Sequence, residues 1–217
     1  MQIFSKSAKS IWLLRVEHLN PQGVSAAPVF DGLRKNYSFH SSPLENGSTL
    51  EKDGLQFERG TFVNQTGIAI NVSLTLHRDG MVVQTASSTE DGDLFLDDAM
   101  NWVSKNYGFA ASSSLPFRKI YSSEIFFGLQ KTPPLLQNTY QSFLAEVSTL
   151  VGDPQSGGFD FYGLHLSTDP AKFEKTKTFK IERELNSPFD ANRYYSFAST
   201  ETKKHLALLE KFAVLSE

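Results

Sequence analysis

The stretch "IAINVSLTLHRDGMVVQTAS", Ile68 to Ser87, decides how the chain is built. Ile68, Ile70, Val72, Leu74 and Leu76 fall on one side of an extended backbone, while Ala69, Asn71, Ser73, Thr75 and His77 fall on the other. This two-residue period predicts a strand with one buried and one wet face. Asp79-Gly80 suits the positive φ angles of a two-residue type I′ loop, so "MVVQTAS" is expected to return as the antiparallel partner. In that register Leu76 faces Val83 and Leu74 faces Thr85.

The return strand runs directly into "SSTEDGDLFLDDAMNWVSKNYG". Ser88 or Thr89 can cap a first helical turn, Glu90, Asp91 and Asp93 complement its positive end, and Gly108 suits its termination. Leu96, Met100 and Val103 form an apolar stripe flanked by Phe95, Ala99 and Trp102, opposite Asp97, Asn101 and Lys105. Hairpin followed by helix is an α+β signature.

Further along, "KIYSSEIFFGLQ" reads as a strand. It precedes a predicted helix with Thr132 as cap, Pro133 and Pro134 in its first turn, and Leu136, Tyr140, Phe143, Val147 and Leu150 on its buried face. "FDFYGLHLS", "KTKTFKIERE" and "RYYSFAS" read as strands, and "TETKKHLALLEKFAVL" as a terminal helix with Leu206, Leu209 and Ala213 inward. Between Leu19 and Gly60 the chain is read as irregular, with "WLLRVEHL" and "LQFERGTFV" extended. The fold class expected is α+β: a mostly antiparallel sheet with about three helices on one face. It is taken as a single domain over 1–217, with a sub-division near 110–116 into hairpin-helix halves, 1–109 and 117–217, as the alternative. "ASSTED" (Ala86 to Asp91) and "FASTET" (Phe197 to Thr202) are both strand-to-helix junctions, and capping chemistry alone explains their likeness.

The 217 residues carry a formal charge of -3, with no cysteine and 18 Phe. The charge gives no broad basic field for nucleic acid; "KKHLALLEK" and "FEKTKTFK" are the only basic runs worth attention and read as solvated faces. Without cysteine, disulfides, thiolate nucleophiles and Cys-ligated zinc are excluded. Most of the Phe are expected in the core. The apolar run Ile11 to Leu14 is too short for a secretory or membrane segment, so the expected location is cytoplasmic, without membrane contact, and the glycosylation-type triplets carry no weight there.

Phosphate-loop, dinucleotide, zinc-helix and nucleophile-elbow patterns are all missing, and the five His lie far apart at 18, 40, 77, 165 and 205. No cofactor is called for. The strongest candidate site is the loop "ERELNSPFDANRYY", where Arg183, Asp190, Asn192, Arg193, Tyr194 and Tyr195 combine forked donors with amphipathic rings, the composition of interaction surfaces. The leading expectation is a non-catalytic protein-interaction or assembly module that binds a protein partner or itself. A metal-dependent hydrolase or nuclease-like enzyme, using Asp93, Asp97 and His77, is the alternative, and a nucleic-acid accessory protein the second alternative.

Overall fold

The computed structural model describes residues 1–50, 53–131, 141–151, 159–172 and 176–214. Its eight strands are β1 (Gln2–Leu13), β2 (Leu55–Val63), β3 (Ala69–His77), β4 (Gly80–Thr85), β5 (Arg118–Gly128), β6 (Gly163–Ser167), β7 (Thr178–Arg183) and β8 (Arg193–Ala198). They form one antiparallel sheet in the order β2-β3-β4-β1-β5-β8-β7-β6. The helices are α1 (Ala26–Asn36), α2 (Pro43–Asn46), α3 (Thr89–Tyr107), α4 (Gln141–Val151) and α5 (Thr202–Val214). The α+β class is as expected. The helix count is higher, because α1 and the single turn α2 lie in the segment read as irregular.

Two compact units divide the chain. The N-terminal unit comprises Lys6–Ser123 and Ser199–Thr202; the C-terminal unit comprises Met1–Ser5, Glu124–Ala198 and Lys203–Glu217. Each follows the same course: a long strand, a helical segment, three antiparallel strands and a closing helix.

In the N-terminal unit the predicted hairpin forms with a different register. His77 pairs with Gly80, Leu76 with Met81, Leu74 with Val83 and Val72 with Thr85. The loop is therefore Arg78-Asp79, one residue earlier than expected. Gly80 has no positive φ; a β-carbon there would strike the Trp12 carbonyl oxygen, so its role is close approach to β1. Pairing shifts by two positions, an even number, and so leaves the two faces unchanged. Ile70, Val72 and Leu74 are buried as predicted, together with Trp12, Phe57, Val83, Phe95 and Leu96. Ile68 precedes the strand and is exposed.

Helix α3 is capped at its start by Ser88, whose hydroxyl accepts from the Asp91 amide, and at its end by Gly108 in the left-handed conformation. Its stripe of Phe95, Leu96, Ala99, Met100 and Val103 is buried. Helix α1 closes against α3: Val29 and Leu33, four residues apart, face the core, and Tyr107 donates to the Pro28 carbonyl. A β-carbon on Gly32 would meet the Tyr107 hydroxyl and the Trp102 ring, so this helical glycine permits the contact.

The two junctions that looked alike meet directly. The Thr89 amide donates to the Thr202 hydroxyl at 3.0 Å and the Thr202 amide donates to the Thr89 hydroxyl at 2.9 Å. Both residues are buried, and each satisfies an amide that helix geometry leaves without an intrahelical partner. The repeated punctuation is thus a reciprocal cap.

The C-terminal unit has its own core of Ile125, Phe127, Ile181, Tyr194, Leu209 and Phe212. On α5 the buried stripe is His205, Leu209 and Phe212, whereas Leu206 and Ala213 are half-buried. Helix α4 corrects a further expectation: Phe143 and Leu150 are exposed and Val147 half-buried. Thr132, Pro133, Pro134, Leu136 and Tyr140 lie outside the described residues. The Phe side chains are mostly in or against the cores, with Phe4, Phe143, Phe159 and Phe189 exposed. No helix among the described residues is long and apolar enough to cross a membrane.

Candidate functional site

Strand β8 sorts the tyrosine- and arginine-rich segment into two sets by simple alternation. Tyr194, Ser196 and Ala198 point into the C-terminal unit, and Arg193, Tyr195 and Phe197 point out. Tyr194 is 2% exposed and stacks on Phe127 with ring centroids 5.5 Å apart. Arg183 is also internal, at 3% exposure. Its Nε donates to the Phe161 carbonyl at 3.1 Å, Nη1 to the Phe189 carbonyl at 2.5 Å, and Nη2 to Asp160 at 3.2 Å, while its guanidinium lies 4.3 Å from the Phe189 ring centroid. Arg183 therefore clamps the loop from within. Burial removes Arg183 and Tyr194 from the surface that the sequence assigned to them.

The outward set forms a contiguous patch. The Arg193 guanidinium lies over the Phe4 ring at 4.7 Å and is held at its edge by Glu184, with Nε to Oε2 at 2.5 Å and Nη2 to Oε1 at 3.3 Å. Phe4 finds room because Gly128 has no side chain; a β-carbon there would sit 2.8 Å from the Phe4 Cζ. Beside Arg193, Tyr195 meets Phe126 with centroids 5.1 Å apart and lies under the Lys180 ammonium at 5.1 Å, and Lys180 pairs with Glu182 at 3.0 Å. Burial, then the nearby carboxylates Glu124 and Glu182, raise the Tyr195 pKa, so its hydroxyl stays a neutral donor. Asn192, in the left-handed conformation, turns the chain into β8 and donates its side-chain amide to the Asp190 carbonyl at 3.1 Å; Asp190 is exposed beside it. Phe4 and Phe126 were not legible as members of this site, since only the sheet order places β5 beside β8 and β1 next beyond it.

The acidic alternative takes a different form. Asp93 is a saturated anchor: Oδ1 accepts from Ser10 and from the Trp12 indole, both at 2.8 Å, and Oδ2 accepts from Lys119 at 2.7 Å and Tyr121 at 2.8 Å. Four donors occupy its acceptor positions. Burial alone would raise its pKa, but the hydrogen bonds from Lys119, Trp12, Tyr121 and Ser10 outweigh that and hold it below the ordinary value. Trp12 is in turn stacked on Phe117 at 4.3 Å and capped by the Lys119 ammonium at 4.5 Å. Asp97 is exposed and accepts from Ser112 and Asn101, and His77 closes the β3-β4 hairpin. Among the described residues, no group of three or more His, Asp and Glu is placed to hold a metal ion.

One nucleophile-like pair lies within the C-terminal core. Ser196 Oγ is 2.8 Å from His205 Nε2, but it donates to the Lys180 carbonyl at 2.7 Å, so the imidazole is the donor in the pair. Both residues are wholly buried, and the serine proton points away from the base. That is the geometry of a structural tie.

No protein-family model and no curated protein matches the chain. Among solved structures, Methanococcus jannaschii TBP is similar over 99% of this chain and 96% of that one, at 10% sequence identity and a TM-score of 0.41.

Proposed function

We propose that the protein is a non-catalytic interaction module that engages a protein partner through the Phe4, Arg193 and Tyr195 face of its C-terminal unit. The observation that carries this reading is the Arg193 guanidinium, half-exposed yet held between the exposed Phe4 ring and the Glu184 carboxylate. An arginine fixed in one orientation has already lost much of its side-chain entropy, so a partner that covers it gains contact area at lower cost. Arginine and tyrosine are also the side chains on which interface energy concentrates. The neighbouring Lys180 and Glu182 add a polar rim of both signs, which selects a partner by charge pattern.

Arg193→Ala is the direct test. Its ion pair with Glu184 is a surface pair of the kind worth about 0–1 kcal/mol, so the melting temperature is expected to move by less than about 4 °C. Partner capture is expected to fall by about tenfold or more. Unchanged capture, or a large loss of stability, contradicts the assignment; the latter would make Arg193 a clamp like Arg183.

A further inference from the structure

The N-terminal unit contains a cavity of about 180 Å³ between α1, α3 and the sheet. Val29, Leu33, Leu74, Met81, Leu96 and Met100 form its buried wall. Phe30, Leu55, Leu76 and Phe109 stand at its mouth, each only partly buried. Asn20 is the single polar residue in the lining, and both ends of its amide are engaged: Nδ2 donates to the Val24 carbonyl at 2.8 Å and Oδ1 accepts from the Val24 amide at 2.9 Å. The wall is therefore almost entirely apolar to an occupant.

We propose that this cavity binds a small neutral hydrocarbon-like ligand about the size of one aromatic ring. Protein interiors are ordinarily filled to crystal density, and a dry apolar void of about 150 Å³ accepts benzene. This cavity is similar in size and apolar lining, and differs in being open to solvent at its mouth. Water inside would find no partner for its hydrogen bonds, and a charged or strongly polar ligand would lose its hydration without replacement. Two flexible thioethers in the wall, Met81 and Met100, can adjust to a flat ring and favour sulfur-aromatic contact. The partly wet apolar rim gains further burial when the mouth is filled.

The methionines provide the readout. The chain has three, at positions 1, 81 and 100, and Met1 belongs to the C-terminal unit. In a benzene titration of the full chain followed by methionine-methyl NMR, the Met81 and Met100 signals are expected to shift saturably while Met1 stays fixed. Ala99 is buried in the cavity wall. Ala99→Leu fills part of the space and is expected to weaken binding by about tenfold. Should Ala99→Leu fail to fold, Ala26→Leu, at an exposed residue on the rim, is expected to weaken binding in the same direction. Static Met81 and Met100 signals up to the solubility of benzene overturn the proposal, as does a folded filling variant that titrates like the parent protein.

Discussion

Asp93→Ala is expected to lower the stability of the protein by about 3 kcal/mol, seen as a melting temperature about 6–12 °C lower. The loss exceeds that of an ordinary surface acid because one carboxylate on α3 receives four donors from two strands, Ser10 and Trp12 on β1 and Lys119 and Tyr121 on β5, and so ties three elements together. Truncation leaves the buried Trp12 indole to find a new acceptor and removes the counter-charge of Lys119, while the Ser10 hydroxyl keeps the Thr89 carbonyl at 3.0 Å as its acceptor. The same network sets a pH dependence. The folded pKa of Asp93 lies below the ordinary 3.8, so its contribution is fully present above that value and is lost as pH falls through the folded pKa. Asp91 acts in the same direction, its burial outweighed by hydrogen bonds from Ser87, Asn64 and Ser88. Asp93→Asn should therefore narrow the gap to the parent protein in acid unfolding below about pH 4. A constant gap from neutral to acid pH would show that the carboxylate charge does not matter.

Arg183→Ala is expected to cost a similar amount, about 3 kcal/mol, for a complementary reason. Here the cation is buried, and its loss leaves the carbonyls of Phe161 and Phe189 and the carboxylate of Asp160 without their donor. Arg183→Lys should recover only part of the loss, because one ammonium cannot reach three acceptors with the geometry of a planar fork. Chemical denaturation of both variants checks this. A stability change below about 0.5 kcal/mol for Arg183→Ala would return Arg183 to the surface role first read from the sequence.

Arg183 and Arg193 show what the sequence can and cannot disclose. Both are arginines flanking one aromatic loop, and composition treats them alike. Strand alternation separates them: in "TFKIER" Arg183 shares the parity of the buried Ile181, whereas in "RYYSFA" Arg193 has the parity opposite to Tyr194, Ser196 and Ala198, whose small residues mark the tightly packed side. The signal was present but weak beside the polar character of tyrosine. The β3-β4 hairpin was legible because five apolar residues alternate without exception, yet its register was not, because Gly80 serves a neighbouring strand instead of the turn. Helix α1 was hidden by Pro28 and Gly32, two residues that usually argue against a helix. Proline is tolerated near the N-terminal end, and the glycine is needed for contact with α3. Asp93 was identified as chemically notable, but its four donors come from strands distant in sequence, and nothing local distinguishes a saturated anchor from a metal ligand.

The Phe4, Arg193 and Tyr195 face is proposed to meet a protein partner. Photo-crosslinking in the native cell extract tests it most directly, with a benzophenone-bearing phenylalanine at position 195 and a control probe at the exposed position 58 of the N-terminal unit. One discrete protein adduct is expected from position 195, absent from position 58 and lost when Arg193→Ala is added. No adduct above the control, or an adduct that persists in Arg193→Ala, would contradict it.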